Sequence, residues 1–213
     1  MEEFSKEIAA IRQDYCLSSL EEGEVGGNPV LFFEKWFKQA EDAHCTEVNA
    51  MTLATVDEEG KPHARMVLLK GIEQETFIFY TNYHSKKGEQ LKENPHAALV
   101  FFWPELQRQV RVEGTVEKVS PELSDEYFYS RPIESQIGAI ASEQSGVISS
   151  RKVIEDKVKI IESDKEIKRP EHWGGFALKP EKIEFWQGRS NRLHDRIVFE
   201  LRTDIWKIFR LAP

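Results

Sequence analysis

Apolar residues recur at helical spacing in the first part of the chain. Apolar side chains three or four positions apart predict a short N-terminal helix. These side chains are Phe4, Ile8, Ile11 and Tyr15. Asn28 and Pro29 are typical of the N-cap and first turn of a helix. A second helix is therefore predicted from there to about His44.

From Ala50 the pattern changes to runs of β-branched and aromatic residues with turn residues between them. Strands are predicted, in order, over AMTLATV, PHARMVLLK, TFIFYT, AALVFFW, QRQVRVEGTVEKV, GGFALKPEKIEFWQG, RIVFEL and WKIFRL. Within the sixth run, turns are expected at Pro180 and Gly188. Helices are predicted after Ser85, over PELSDEYFYS from Pro121, and over residues 147–163.

The order of these elements decides the fold class. Strands do not alternate regularly with helices, which argues against a doubly wound parallel sheet. We therefore predict a mainly β fold of the α+β class, an antiparallel sheet or barrel with helices packed outside it. The length of 213 residues favours one domain. The predicted division is an N-terminal helix and acidic segment over residues 1–27 and a single domain over residues 28–213.

Composition narrows the class of protein. The chain has 40% hydrophobic and 31% charged residues, as ordinary globular proteins do. No apolar run approaches the roughly 20 residues that cross a bilayer, and the acidic N-terminus is unlike a signal peptide. Cys16 and Cys45 lie far apart and the histidines are scattered. We therefore expect no disulfide, no metal site, no membrane partner and a cytoplasmic location.

Charge is distributed unevenly. The net charge is −8, yet cations occur in small groups, among them Lys86 with Lys87 and Arg192 with Arg196. Binding of nucleic acid needs a continuous basic face, so we do not expect a nucleic-acid partner. Small anionic ligands fit better, phosphate esters above all, because Arg offers a bidentate fork and Lys a mobile charge.

Two polar clusters lie at predicted strands in the first half of the chain. In RMVLLK alternate side chains share a face: Arg65, Val67 and Leu69 on one side, Met66, Leu68 and Lys70 on the other. The second cluster comprises Tyr80, Thr81, Ser85, Lys86 and Lys87. It joins a strand end to a helix start, whose free N–H groups favour phosphate. The alternatives are a half-buried strand with charged ends and a capped surface helix with solvated lysines.

A third cluster comprises Tyr127, Arg131 and Ser135. Tyr127 and Arg131 are four apart and so are neighbours on a predicted helix, and Ser135 follows a turn at Pro132. An arginine with two hydroxyl groups suits a phosphate monoester. A helix-end arginine followed by a capping serine is the alternative.

The fourth cluster extends from Trp186 to Arg196. If Leu193 points into the core from an extended run, then Arg192, His194 and Arg196 share the opposite face. Three cationic or titratable groups on one face repel each other unless an anion or a carboxylate compensates. The row therefore predicts a binding site, with a hydrogen-bonded structural histidine as the alternative.

Together these strings resemble the pyridoxine/pyridoxamine 5'-phosphate oxidase family. The resemblance rests on RMVLLK, FYTN, SKK, RQVRVEG, SRPIESQIGA, SEQS, WGGF, EFWQG, RLHDR and the final RLAP, and it runs from about residue 29 to the last residue. It implies an FMN-binding split β-barrel with flanking helices. It also implies a homodimer with FMN at each of two subunit-interface sites.

The resemblance assigns residues to the cofactor and the substrate. For FMN it implies Arg65, Met66, Val67, Leu68, Leu69, Lys70, Tyr80, Thr81, Lys86, Lys87 and Gln109, with Gln144, Ser145, Trp186 and Arg196 from the other subunit. For the substrate phosphate it implies Lys70, Tyr127, Arg131 and Ser135. Arg192 and His194 are the implied catalytic residues and flank the pyridine ring and its reacting carbon.

The implied activity is the oxidation of pyridoxine 5'-phosphate and pyridoxamine 5'-phosphate to pyridoxal 5'-phosphate. A hydride passes from substrate C4' to flavin N5, and O2 reoxidises the flavin and yields H2O2. Lys86 stands where relatives commonly have arginine, and the acidic LSSLEEGEV stands where they often have glycine and arginine. Because acidic residues repel a dianionic substrate, we do not expect residues 12–15 to cover the site.

Two other hypotheses assume the same barrel fold with a different function. A non-catalytic protein that binds or stores FMN or pyridoxal phosphate would lose Arg192 or His194, and both are present. A flavin reductase or a general FMN oxidoreductase would not explain the third cluster, at residues 127–135.

Overall fold

The structure is a computed structural model that describes residues 2–11, 13–163 and 166–213. The helices in this part of the chain are α1 (Glu2–Ala10), α2 (Pro29–Asp42), α3 (Lys86–Glu93), α4 (Pro121–Ser130), α5 (Ile133–Ala141) and α6 (Arg151–Glu162). The strands are β1 (Ala50–Val56), β2 (Pro62–Leu68), β3 (Gly71–Glu73), β4 (Thr76–Asn82), β5 (His96–Trp103), β6 (Arg108–Lys118), β7 (Trp173–Gln187), β8 (Asp195–Arg202) and β9 (Ile205–Arg210). None of these helices is both long and apolar enough to pass through a membrane.

The strands form one sheet. Its order is β2-β1-β5-β6-β7-β4-β3, and β8 pairs with both β7 and β9. The pairing is antiparallel in β1–β2, where Met51 lies opposite Val67, and in β7–β8, where Phe185 lies opposite Ile197. The predicted mainly β, α+β class with flanking helices is confirmed.

The chain divides into two compact units. The first, here the terminal unit, consists of Met1–Val48, Phe101–Arg111 and Lys182–Pro213. The second, the central unit, consists of Asn49–Val100 and Val112–Glu181. β5, β6 and β7 contribute residues to both. The division at residue 27 that the sequence suggests stays a prediction.

Helix α2 supplies aromatic side chains to the core of the terminal unit. Its start follows the predicted cap, because Asn28 Oδ1 accepts hydrogen bonds from the N–H groups of Val30 and Leu31 at 2.8 and 3.2 Å. The buried face of the helix includes Phe32, whose ring centroid is 4.7 Å from that of Phe185. Burial of one such ring contributes roughly 1.5–3 kcal/mol to folding.

Strands β1 and β2 show the expected alternation of side chains in the central unit. Every second residue of β1 is buried, and Met51 and Leu53 are fully buried. In β2 Arg65 is less exposed than Met66, and the alternation continues to the buried Leu69. The predicted division of RMVLLK into two faces is confirmed.

The turn predicted at Pro180 is wrong. β7 runs without interruption from Trp173 to Gln187, because proline has an extended backbone and is tolerated in a strand where its missing N–H is not needed. The close approach of β6 to β7 beside Pro180 also needs a glycine. A Cβ atom on Gly114 would lie 2.0 Å from the carbonyl oxygen of Lys179.

Three helical predictions need correction. α1 ends at Ala10, so Tyr15 lies outside it, and the side chains of Phe4 and Ile8 are exposed. α5 was not predicted, because Pro132 indicated a turn, whereas Pro132 is the N-cap residue of this helix. The last helix begins at Arg151 rather than near residue 147.

Candidate functional site

A cleft of about 740 Å³ opens within the central unit, a volume typical of small-molecule sites. Many predicted site residues line it: Met66, Val67, Leu68, Lys70, Tyr80, Thr81, Lys87, Tyr127, Arg131, Ser135 and Gln144. Asn82, Gly138, Ala139, Ser142 and Trp173 also line it and were not assigned from the sequence. The structure thus brings the first three clusters together.

Lys87 lies at the α3 side of this central cleft. Its Nζ is 2.8 Å from Gln144 Oε1 and 3.2 Å from both Thr81 Oγ1 and Ser85 Oγ. Burial, with a further contribution from the charge of Arg65, lowers the pKa of Lys87 to about 8. The ammonium group is therefore surrounded by neutral oxygens and by a second cation.

Arg65 has a similar environment. Its Nη1 donates to Thr55 Oγ1 at 2.6 Å, and its Nη2 donates to Gln90 Oε1 at 3.2 Å. Burial lowers the pKa of Arg65. Since these acceptors are uncharged, an anion near Arg65 and Lys87 would supply the missing countercharge.

The start of α3 is built as predicted. Ser85 Oγ accepts a hydrogen bond from the Gly88 N–H at 3.4 Å, and the N–H of Lys86 points to Ser145 Oγ at 3.3 Å. The side chain of Lys86 is exposed, unlike that of Lys87. Within the chain, Gln144 contacts Lys87 and Ser145 contacts the N–H of Lys86. That Gln144 and Ser145 contact the FMN of the other subunit stays a prediction.

The other side of the central cleft contains Arg131. Its Nη2 donates to the Ser135 carbonyl at 2.8 Å, and its guanidinium lies 4.7 Å from the ring centroid of Trp173. Its Nη1 is buried and has no hydrogen-bond partner within the described residues. Such an orphan donor is costly unless a ligand accepts from it.

Aromatic rings flank Arg131. Tyr80 and Tyr127 are stacked with centroids 3.9 Å apart, and Tyr80 is also stacked with Trp173 at 5.6 Å. Arg131 follows α4 with an extended backbone. The expectation that Tyr127 and Arg131 are neighbours on one helix is therefore wrong, although both line the central cleft.

A second cleft, of about 580 Å³, lies within the terminal unit. Its lining consists of Ile11, Gln13, Asp14, Tyr15, Arg189, Asn191, Arg192 and His194. This terminal cleft brings the two predicted catalytic residues together.

The extended run predicted around Leu193 is wrong. Residues Ser190–Arg192 form a 3-10 turn, with positive φ angles of 58° at Asn191 and 62° at Arg192. Leu193 is 66% exposed and so is not a core residue. Arg192 and His194 share one cleft because of this turn, not because side chains alternate along a strand.

The hydrogen bond to His194 defines its tautomer. The main-chain N–H of Arg189 donates to His194 Nδ1 at 3.1 Å, so the neutral ring has its proton on Nε2. Burial and the charge of Arg192 lower the pKa of His194, and Asp195 opposes that change. At neutral pH the ring is thus a hydrogen-bond donor through Nε2.

Tyr15 belongs to the terminal cleft. Its ring centroid is 5.8 Å from Trp186 and 6.0 Å from His194, and Trp186 and His194 are 4.6 Å apart. A Cβ atom on Gly188 would lie 2.7 Å from the Tyr15 ring, so the approach requires glycine. Gln13, Asp14 and Tyr15 therefore line the terminal cleft. That residues 12–15 do not cover a bound substrate stays a prediction, and Arg12 lies outside the described residues.

The remaining predicted residues are in the terminal unit. Arg196 forms a two-point ion pair with the buried Glu184, at 2.8 and 3.1 Å, and this bond raises the pKa of Arg196. The charge of Arg196 is thus compensated by a carboxylate.

Gln109, which the resemblance assigns to FMN, is half-buried on β6. Within the described ranges, no group of three or more His, Cys, Asp or Glu residues is placed to bind a metal ion.

Comparisons with known proteins agree on one family. A family model described as pyridoxamine 5'-phosphate oxidase matches residues 37–163, and one described as the pyridoxine 5'-phosphate oxidase C-terminal dimerisation region matches residues 173–213. A pyridoxine/pyridoxamine 5'-phosphate oxidase of Leptospira interrogans is 60% identical over 97% of this chain and 98% of its own. The protein of that name from a Nostoc species is 54% identical over the same shares.

Two solved structures extend this similarity to the fold. PhzG from Burkholderia lata, solved with tetrahydrophenazine-1-carboxylic acid, has a TM-score of 0.88 at 26% identity and covers 92% of this chain and 99% of its own. An FMN-binding protein from Nostoc punctiforme related to pyridoxamine 5'-phosphate oxidase has a TM-score of 0.71 at 16% identity, over 92% of this chain and 100% of its own. The fold is therefore the split-barrel type of these proteins. The chain belongs to the pyridoxine/pyridoxamine 5'-phosphate oxidase family of enzymes.

Proposed function

We propose that this chain is an FMN-dependent oxidase that converts pyridoxine 5'-phosphate and pyridoxamine 5'-phosphate to pyridoxal 5'-phosphate. The observation that carries the proposal is the central cleft, where cations on two sides have no carboxylate partner. Lys87 and Arg65 bond to neutral oxygens, and Arg131 presents a buried, unsatisfied N–H group. Both the cofactor and the substrate bring a phosphate monoester.

The residues at α3 fit the phosphate of FMN. Lys87 with its lowered pKa gains its charge fully when a dianion is bound beside it. The N–H groups of Lys86 and Gly88 already bond to Ser145 and Ser85, so the helix start contributes through the positive end of its dipole. When bound, FMN supplies the hydride acceptor, and its reoxidation by O2 yields H2O2.

The residues around Arg131 fit the phosphate of the substrate. Arg131, with Lys70 and the hydroxyl groups of Tyr127 and Ser135, lines the central cleft. Trp173 stacks on the guanidinium of Arg131 and so restricts its orientation. This set provides donors for three phosphate oxygens, which a flavin reductase would not need.

Arg192 and His194 are assigned to the reacting end of the substrate. Because Nδ1 of His194 accepts the Arg189 N–H, His194 offers an N–H donor at Nε2 to the hydroxyl or amino group on C4'. It has no free lone pair with which to take a proton in this state. We therefore assign His194 an orienting role, and the proton lost from the substrate passes to water or to the substrate itself.

A homodimer is part of the proposal. The match of residues 173–213 to a dimerisation region supports it, as do two apolar side chains beside the central cleft, because Met66 is 62% and Leu68 38% exposed in the single chain. Both cysteines are free thiols, which agrees with the cytoplasmic location that we also propose.

Phenazine chemistry is the second candidate, because PhzG has a high TM-score. The ligand in that structure is a carboxylic acid, whereas the central cleft here offers a set of donors for a phosphate. The sequence identity of 60% to a pyridoxine/pyridoxamine 5'-phosphate oxidase also favours the first proposal over the second.

One assay tests the proposal. The purified protein is loaded with FMN, and aldehyde and peroxide are followed after addition of pyridoxine 5'-phosphate, pyridoxamine 5'-phosphate or tetrahydrophenazine-1-carboxylic acid. With either pyridoxine 5'-phosphate or pyridoxamine 5'-phosphate, here called the B6 phosphates, we expect equal amounts of aldehyde and peroxide. FMN binding without product from either phosphate would overturn the proposal, and turnover of the phenazine acid alone would support the second candidate.

Substitution of Arg192 tests the assigned roles. Arg192 is exposed, so we expect Arg192→Ala to fold and to bind FMN as before. The loss of a charge-assisted hydrogen bond to the substrate should lower kcat/KM by about tenfold to a hundredfold. Unchanged kinetics would remove Arg192 from the site.

A further inference from the structure

Gln107 links the two segments that form the terminal cleft. It follows the 3-10 turn Pro104–Leu106 with a left-handed backbone, φ 54° and ψ 42°, and its side chain is buried. A positive φ at a non-glycine residue costs free energy, so it persists only where the surrounding contacts hold the residue in that conformation. This backbone presents both the side chain and the carbonyl of Gln107 to residues far away in the sequence.

The side chain of Gln107 contacts the segment next to Tyr15. Its Oε1 accepts hydrogen bonds from the N–H groups of Cys16 at 3.0 Å and Leu17 at 3.3 Å. Residues 13–22 are here called the strap. Cys16 and Leu17 lie outside helices and strands, so their N–H groups need an acceptor such as this one.

The main chain of Gln107 contacts the opposite wall. Its carbonyl oxygen accepts from the Gly188 N–H at 2.8 Å and from Gln187 Nε2 at 3.2 Å. Gly188 is the residue against which the Tyr15 ring packs. Gln107 thus bonds directly to Gly188 and, on the other side, to Cys16 and Leu17, the two residues that follow Tyr15.

We infer that Gln107 is a positioning residue for the proposed reaction: it holds the strap so that Tyr15 stays against Trp186 and His194 and closes one side of the terminal cleft. Gln107 acts through Tyr15 and does not itself line this cleft. The inference rests on the proposed function for its kinetic consequence, but not for its structural one.

A matched pair of variants tests the acceptor. Gln107→Leu has a similar shape and removes Oε1, whereas Gln107→Glu keeps an oxygen acceptor. In Gln107→Leu we expect the Cys16 and Leu17 amides to exchange with deuterium at least about tenfold faster. We expect kcat/KM for pyridoxamine 5'-phosphate to fall about tenfold at unchanged FMN content. Gln107→Glu should remain within about twofold of the wild type in both measurements.

The possible results test the role of Gln107 and the proposed function separately. Unchanged amide exchange in Gln107→Leu, or an equal loss in Gln107→Glu, would overturn the role of the acceptor. If the wild type oxidises neither B6 phosphate, the proposed function fails while the exchange result still decides whether Gln107 holds the strap.

A third variant covers the case in which Gln107→Leu does not fold. Gly188→Ala places a Cβ against the Tyr15 ring and leaves Gln107 intact. We expect the Cys16 and Leu17 amides to stay protected while kcat/KM falls as in Gln107→Leu. Wild-type kcat/KM in Gly188→Ala would overturn the role of Tyr15 and with it the inference.

Discussion

Two adjacent lysines at the start of α3 differ in their surroundings. Lys86 is exposed, whereas Lys87 is partly buried among three neutral oxygens near Arg65. Burial disfavours the ammonium form of Lys87 and lowers its pKa to about 8. The sequence letters are the same at both positions, so the difference comes entirely from the fold.

This difference predicts how FMN affinity depends on pH. A bound phosphate favours charged Lys87 and raises its pKa, so the free protein must take up a proton before it binds FMN at a pH above about 8. We expect the Kd of FMN to rise up to about tenfold per pH unit between pH 8 and pH 10. Fluorescence titration of flavin at several pH values measures it.

Lys87→Met and Lys86→Met form the matched pair for this experiment. Lys87→Met should bind FMN more weakly below pH 8 and lose the pH dependence, because the titrating group is gone. Lys86→Met should retain the slope, whatever its affinity. An equal slope in Lys87→Met and the wild type would assign the titration to another group.

Individual site residues were predictable where they occur in contiguous strings. Lys70, Arg131 and their neighbours belong to motifs whose residue types indicate phosphate. Tyr15 and Gln107 are partners of residues far away in the sequence, with separations of 91 positions from Gln107 to Cys16 and 175 from Tyr15 to Ser190. No local pattern reports such contacts, so both were missed.

At the scale of elements, α2 illustrates what capping residues contribute. Asn28 satisfies two N–H groups at its start, and Pro29 follows in the first turn. Asn28→Ala should lower the free energy of unfolding by about 1 kcal/mol, and Asn28→Ser should restore most of it. Urea denaturation followed by circular dichroism compares them, and equal midpoints for all three proteins would contradict the role of the cap.

Elements with a clear period and a cap were predicted well, and elements that depend on backbone angles were not. α4 begins as expected because Ser120 and Pro121 mark its start, and it ends at Ser130 as expected because Pro132 follows shortly after. The turn at Ser190–Arg192 needs two non-glycine residues at positive φ, which their letters do not announce. Pro132 and Pro180 were assigned to turns because proline is common there, but a helix begins after the first and a strand contains the second.

For the whole molecule, an ion-pair network joins the strap to the last strand. Arg210 donates to Glu22 at 2.6 and 2.8 Å, to Asp195 at 2.8 Å and to the Leu20 carbonyl at 2.9 Å. The hydrogen bonds from Arg210 to the Glu22 carboxylate are the main reason that the pKa of Glu22 is lowered to about 2. The order of strands in the sheet and this joining of distant segments were not predictable, because many orders satisfy the same pattern of strands.

The Glu22 pKa gives a prediction for acid stability. Because the folded pKa is below the ordinary 4.5, the stabilisation is complete above pH 4.5 and is lost as the pH falls towards 2. The Tm of Glu22→Gln should therefore be lower than that of the wild type at pH 6, and the two should converge between pH 4.5 and pH 2. Because the pair is exposed, 0.5 M salt should reduce the difference.

Glu24→Gln is the control for this experiment. Glu24 lies in the same 3-10 turn, Glu22–Glu24, and the hydrogen bonds that Arg210 forms are with other residues. We expect its Tm to follow that of the wild type across the pH range. A constant difference between Glu22→Gln and the wild type down to pH 2 would contradict the assigned titration.

The contact between Gly188 and Tyr15 also restricts how this protein can change by mutation. Any side chain at position 188 meets the ring at position 15, so a substitution at 188 is accepted only if residue 15 is already smaller. Random mutagenesis that selects single changes should recover almost nothing at position 188. A library that varies both positions together should recover paired solutions, in which a larger residue at 188 accompanies a smaller one at 15.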